Sequence, residues 1–421
     1  MEDSDKIQHA KIDHMNYYLL LGMALSLFLF NDTLRTMLIH SEINYKLNLL
    51  FMLFAVLTAA YMFYKKNLDL GILLVALTII GLTFIAIESG SGKMSHYVRA
   101  TAAIFFPILL LGLRIPEHDF IPFLKSFIKI FNILCIILLV AGIFDYLSDA
   151  SLQTFFAQQK LFHEELANLV YTEKASGIYR YYSFIGHPLT NALYFMSFYM
   201  LNVLYNRYNK PLMNEYLLIL IAFTGLLLCG SRTALLAALL MFVFLNNSKH
   251  KIAFISFAGV IGAGLFSTAM FKQNLLQRFI LKAAAGDVSE GRNLALTCVW
   301  KGYVRPPALF TGGGLDSSYL VTKMLGFIKS FEYPFIMLAY DIGILAMALI
   351  YLTLFFYPLC VFIKNKHYRL LAFFVLLSIY MNGFNGIAGY NDFMGQFCFL
   401  AMILLNLSYL LQKRSKGAVL Q

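Results

Sequence analysis

The chain has 421 residues, of which 60% are hydrophobic and only 13% charged, with a formal net charge of +11. Soluble domains carry roughly 25% charge and are about half apolar at most, so a sizeable soluble domain is excluded. In a membrane protein lysines and arginines collect in cytoplasmic loops, and the positive balance gives no reason to expect a nucleic-acid partner.

Apolar runs of roughly 20 residues, long enough to cross a bilayer, recur between short polar breaks. They predict an all-α polytopic membrane helical bundle, one integral membrane domain over 1–421. The predicted spans are 17–31, 45–64, 68–87, 98–113, 121–147, 186–205, 212–229, 232–246, 252–270, 333–363, 368–386 and 394–411, about twelve transmembrane helices. The first run, Tyr17–Phe30, is followed by Asn31-Asp32-Thr33 and not by a small-residue cleavage site, so it is expected to be a retained span. Cys135, Cys229, Cys298, Cys360 and Cys398 form no CxxC or Cys/His spacing and read as small packed hydrophobes.

With the N-terminus cytoplasmic, the cytoplasmic loops hold Lys65-Lys66, Arg114, Lys125, Arg207, Lys210, Lys249, Lys251, Lys364, Lys366 and Arg369. The two termini add Lys6, Lys11, Lys413, Arg414 and Lys416. The inverted orientation would put nearly all of these outside, so both termini are expected in the cytoplasm. Two long loops then face outward, 147–186 and 271–332, the second between spans nine and ten. The turn Gly230-Ser231-Arg232, between two strongly apolar runs, faces outward as well. An arginine there is costly unless it is paired, hydrated or placed for function.

In the first outer loop Leu152–Asn168 reads as an amphipathic helix lying in the interface. The chain then returns through Gly177 to Pro188. Its tyrosines suit an interfacial belt. Arg180 is a candidate for an anionic ligand, and His187 either takes part in chemistry or forms a helix-starting turn with Pro188. The second outer loop carries an apolar, basic segment, Phe271–Ala284. Then come Gly291-Arg292, the single tryptophan Trp300, Arg305 and Gly312-Gly313-Gly314, and the loop ends at Glu332-Tyr333-Pro334. The glycines allow close backbone approach to a ligand, though on their own a plain loop accounts for them more readily. Lys272, Arg278, Lys282, Arg292, Lys301, Arg305, Lys323 and Lys329 outweigh Asp287, Glu290, Asp316 and Glu332. Outer loops are ordinarily poor in positive charge, so this excess points to an anionic ligand or to anionic lipid headgroups. No GxxxxGK[ST] or Asp-x-Asp pattern occurs, and neither a metal nor a cofactor is expected.

Three stretches resemble the bacterial O-antigen polymerase and O-antigen ligase family of integral membrane glycosyltransferases. They are Arg180 to His187-Pro188, Gly230-Ser231-Arg232-Thr233, and Gly291-Arg292 with Trp300 and Gly312-Gly313-Gly314. The resemblance implies a GT-C-like bundle in the bacterial cytoplasmic (inner) membrane with its active site on the periplasmic face. It also implies a saccharide donor carried on undecaprenyl pyrophosphate, and a chain-length-regulating membrane protein as a possible partner. Arg232 and Arg292 are then expected to grip the pyrophosphate, with Arg180, Arg305, Gly313 and Tyr333 binding pyrophosphate or glycan. Guanidinium suits that task, being always charged and bidentate toward phosphate oxygens. Where ligases of the family carry a histidine at the end of the large loop, this chain has Glu332, the first candidate general base, with His187 the second. That departure favours a polymerase of lipid-linked repeat units over a ligase. A flippase for lipid-linked oligosaccharides is the alternative from another class; it would line a path through the membrane and often shows internal repeats.

Overall fold

A computed structural model describes residues 13–39, 47–90, 92–247, 251–266, 292–326 and 331–419. They are helical, with no β-strand among the described residues. In chain order the helices are α1 (His14–Phe28), α2 (Asp32–Leu38), α3 (Leu49–Tyr64), α4 (Leu70–Gly90), α5 (Met94–Leu110) and α6 (Glu117–Leu147). There follow α7 (Ser151–Gln158), α8 (Glu164–Ala175), α9 (Pro188–Tyr208), α10 (Glu215–Cys229), α11 (Arg232–Leu245) and α12 (Lys251–Phe266). The last six are α13 (Arg292–Trp300), α14 (Ser317–Met324), α15 (Pro334–Ile342), α16 (Ile344–Lys364), α17 (Tyr368–Asn382) and α18 (Asp392–Val419).

Among the described residues each of the twelve predicted apolar segments overlaps a helix; 45–46 of the second and 267–270 of the ninth lie outside them. By length and composition, four helices among the described residues can cross a membrane: Leu70–Gly90, Glu117–Leu147, Ile344–Lys364 and Asp392–Ser415. They become five if the broken pair α1 and α2 counts as one span. Shorter apolar helices fall below that length: the 15 residues of α10 rise about 22 Å, against a hydrocarbon core of about 30 Å.

Two predicted segments are broken. The tenth, 333–363, divides at Gly343, whose φ of +91° is costly for any side chain. The amphipathic segment Leu152–Asn168 divides into α7 and α8 around Lys160, also at positive φ, while Phe162 turns into a small core with Ala157, Val170 and Tyr182. Two π turns, Thr101–Phe105 in α5 and Leu352–Phe356 in α16, each stand just before a proline, Pro107 and Pro358. Proline removes one helical hydrogen bond and crowds the carbonyl four residues back, and a widened turn relieves both.

The contacts divide the chain into two compact units. Unit 1 is Met1–Phe28, Lys46–Leu124 and Gly291–Gln421. Its centre is α18: 89% of that helix's most apolar window is buried, against 39% for α4 and 33% for α16, whose free faces are lipid-like. Phe399 of α18 meets Phe28 and Phe123 edge-on. The same helix carries polar side chains whose hydrogen bonds fix its neighbours. Gln396 Nε2 donates to the Leu27 carbonyl (2.9 Å), and Asn406 donates to Leu113 O (3.0 Å) while accepting from Ile115 N (2.8 Å).

Unit 2 is Leu29–Tyr45 and Lys125–Glu290, and its centre is α9, buried without a break from Thr190 to Tyr205. Gly225 of α10 lets that helix close on the Phe195 ring; a β-carbon there would lie 2.5 Å from it. Asn202 of α9 and Asn132 of α6 exchange amide hydrogen bonds of 3.0 and 2.7 Å, which satisfies both in an apolar interior.

Candidate functional site

In unit 2 the site grows out of one tight turn. The apolar run of α10 ends at Gly230, which takes the left-handed conformation (φ +63°) that closes a helix. Ser231 then stands extended and caps α11 by accepting from Ala234 N at 3.4 Å. Arg232 is half-buried in the first turn of α11, where backbone N–H groups lack helical acceptors and favour an anion.

Arg180 comes to this turn from a distant stretch of sequence. Tyr181 N donates to Leu228 O (3.0 Å), one of the carbonyls that α10 leaves unpaired at its end. That bond draws Arg180 over the glycine: a β-carbon at Gly230 would lie 3.2 Å from Arg180 Cγ. Neighbouring bonds pin the 178–187 strip along its length. Tyr179 OH donates to Asp145 Oδ2 (2.9 Å), Gln153 Oε1 accepts from Tyr182 N (2.9 Å), and Asn191 Nδ2 donates to Tyr181 O (2.8 Å). Burial, then the nearby Asp145 charge, pushes the Tyr179 hydroxyl far above its ordinary value, so it stays a donor. Arg180 Nη1 donates to Glu173 Oε1 of α8 at 3.0 Å. His187 caps α9, its Nδ1 accepting from Leu189 N at 3.1 Å ahead of Pro188, so the structure has the helix-starting turn.

In unit 1 the second group of predicted residues lies around two helix starts. Arg292 opens α13, and its side chain lies outside the described residues, as do Gly291 and all of 267–290. Next to it, Asn293 Oδ1 accepts from Tyr333 OH at 2.6 Å. This brings the start of α15, with half-buried Glu332 at φ +54°, to the start of α13. Arg305 is exposed, and its carbonyl accepts from Tyr340 OH (3.0 Å).

The glycine triplet makes its close approach to the chain's own backbone. Gly313 N donates to Tyr340 O (2.8 Å) and Gly314 N to Asp341 O (3.0 Å). A β-carbon on Gly312 would lie 2.0 Å from Asp341 O. The same stretch reaches the helix break: Ile344 N and Leu345 N, the first amides of α16, donate to Ala308 O and Leu309 O.

Sequence reasoning missed Glu173, and it missed the partners of a polar knot behind the triplet. Asp341 accepts from Ser318 N (2.6 Å), Ser317 Oγ (3.1 Å) and Tyr390 OH (3.0 Å). Arg99 pairs with Asp316 at 2.6 Å, also donates to the Tyr390 and Gly389 carbonyls, and faces the Tyr390 ring. The available signal for Arg99 was an arginine at the start of an apolar run. Nothing local marks Glu173, because its partner is a matter of tertiary placement.

Among the described residues, no group of three or more His, Cys, Asp or Glu side chains could hold a metal ion. Comparison with protein-family models, with curated proteins and with solved structures finds no match.

Proposed function

We propose that the chain is an integral membrane glycosyltransferase that polymerises lipid-linked oligosaccharide repeat units, building an O-antigen, capsular or exopolysaccharide. In this reading it crosses the bacterial inner membrane twelve times in a GT-C-like bundle, with both termini cytoplasmic and the chemistry on the outer face. The observation that carries it lies in unit 2: Arg180 laid over Gly230 at the Gly-Ser-Arg turn, beside the amide-rich start of α11 and Arg232. Two guanidinium-bearing segments far apart in sequence are folded onto one turn between apolar helices, which suits a phosphate group on a lipid.

The acceptor hydroxyl of an incoming repeat unit attacks the anomeric carbon of the growing glycan. The bond from that carbon to the pyrophosphate oxygen breaks, its electron pair leaves on the pyrophosphate, and the anomeric centre inverts. Arg232 and Arg180 stabilise the charge that gathers on the leaving group. Arg292 joins them in this proposal on the strength of the sequence alone. Glu332 is given the acceptor proton on the same sequence ground.

The test is purified protein given a synthetic undecaprenyl-pyrophosphate-linked repeat unit. A ladder of products is expected. Transfer confined to a chemically distinct acceptor would instead make the protein a ligase. Arg232→Ala is expected to lower the rate by about 100-fold or more, the scale of a lost transition-state donor. Arg232→Lys restores the charge without the fork and should recover only part of it. Full activity in both variants would remove Arg232 from the mechanism.

A further inference from the structure

We infer that Glu173 is a counter-ion held in place of the ligand: it occupies Arg180 until an anionic pyrophosphate oxygen arrives and then gives Arg180 up, freeing α8. This rests on reading the Gly230 turn as a pyrophosphate site and names the switch built into it.

The observation is an ion pair that is buried and incomplete. Arg180 and Glu173 are 13% and 16% exposed at the side chain, and their single contact joins Nη1 to Oε1 at 3.0 Å. Arg180 Nε and Glu173 Oε2 are both buried without a hydrogen-bond partner. Nη1 stands on the Cδ side of the guanidinium and the Nε–H on the opposite edge beside Nη2, so the carboxylate that holds Nη1 cannot also take Nε in a two-bond fork. A buried donor and a buried acceptor left unpaired are each expensive. Arg180 is meanwhile fixed from the other side, its stem against Gly230, a position where the left-handed φ and the contact both disfavour a side chain. The orphaned Nε lies next to that turn, 3.8 Å from where a Gly230 β-carbon would stand. A di-anionic group at the turn would take the Nε/Nη2 edge in a two-bond fork, and its charge would repel the single carboxylate oxygen from Nη1.

Glu173 lies in the last turn of α8, where the exposed Lys174 also donates to Asp149 O (2.7 Å) and Thr154 Oγ1 (3.4 Å). Val170 is the helix's one fully buried residue, within the small core of Ala157, Phe162 and Tyr182. Losing the Arg180 bond leaves that end of the helix on Val170 and the solvent-exposed Lys174 contacts, and so loosens it, while α9 to α11 stay packed.

The experiment uses the full chain in lipid nanodiscs with farnesyl pyrophosphate as the probe. Two quantities are read: the dissociation constant, and amide hydrogen exchange over Glu164–Ala175. The wild type is expected to bind and to exchange faster in that helix when bound. Glu173→Gln removes the competing charge and should bind about tenfold more tightly, with α8 exchanging fast already and changing little on binding. Equal or weaker binding by the variant, or an α8 unmoved by the probe in the wild type, overturns the inference. The exchange result needs no variant, so a Glu173→Gln protein that misfolds leaves the test intact. If folded wild type binds no farnesyl pyrophosphate, the inference and the pyrophosphate site fall together. If binding and exchange follow expectation but no ladder forms from the repeat unit, the switch stands and the polymerase reading fails.

Discussion

The imidazole of His187 spends its Nδ1 lone pair on the Leu189 N–H, so the proton sits on Nε2 and the ring has no lone pair left to take one from an acceptor sugar. That geometry separates two roles the sequence leaves open. His187→Asn keeps an N-cap acceptor and is expected to preserve both thermal stability and glycan transfer. His187→Ala should cost about 1 kcal/mol of stability, the usual worth of a cap, read as a lowered Tm in detergent. An Asn variant that folds but makes no product would restore His187 as a catalytic base. Arg232 was legible for a plain reason: a guanidinium between apolar runs is expensive, and the expense is visible in one dimension; Arg180 stood out as the one cation in a strip of interfacial tyrosines. Glu173 was not legible, because a glutamate in a polar loop is ordinary until Arg180 is folded against it. Glycines 312 to 314 were legible as a close approach, while what they approach, the Asp341 carbonyl and its neighbours, depends on residues some 30 positions away.

At the scale of elements, hydrophobic runs gave the helices and their caps gave the ends. Asn214 and Ser231 stand where α10 and α11 begin, and Gly230 stands where α10 stops. The break between α15 and α16 escaped that reading because apolar content continues straight through Gly343. What interrupts the helix is a second piece of backbone, 308–314, which takes the place of helical partners for Ile344 and Leu345. Asp341 at the break is the clamp: three donors converge on it, Ser317 Oγ and Ser318 N of α14 and Tyr390 OH. Asp341→Ala leaves Ser318 N and Tyr390 OH buried without that acceptor, while Ser317 Oγ keeps the Tyr340 carbonyl, and is expected to destabilise unit 1 by about 3 kcal/mol, given about 1–3 kcal/mol for each unpaired group. The loss should appear in a denaturation midpoint and as faster hydrogen exchange at Gly313 and Gly314. Unchanged exchange there would mean that the glycine segment is held by something other than Asp341.

For the molecule as a whole, what composition made legible is a solvent: the many exposed leucines, isoleucines and phenylalanines on α3, α4, α6 and α11, such as Leu53, Leu74, Val140 and Phe244, have no place in water. Direction across the membrane is a separate inference, resting on where lysine and arginine fall, and it stakes the proposed function on one side. Trp300 tests it cleanly. It is the only tryptophan in the chain, and at 79% exposed it is open to a dissolved quencher. It also ends α13, the helix that Arg292 begins, so it reports on the segment to which the proposal gives chemistry. Iodide is a charged quencher that does not cross an intact bilayer on the time of the measurement. Added to sealed right-side-out vesicles, it is expected to quench Trp300 at once. Added to sealed inverted vesicles, it should quench only after detergent opens them. The reverse pattern would put the large loop in the cytoplasm, away from a periplasmic acceptor, and would overturn the proposed topology with it. Equal quenching in both sealed preparations would mean the vesicles leak, which entrapped dye reveals beforehand, so the two remaining outcomes decide the side.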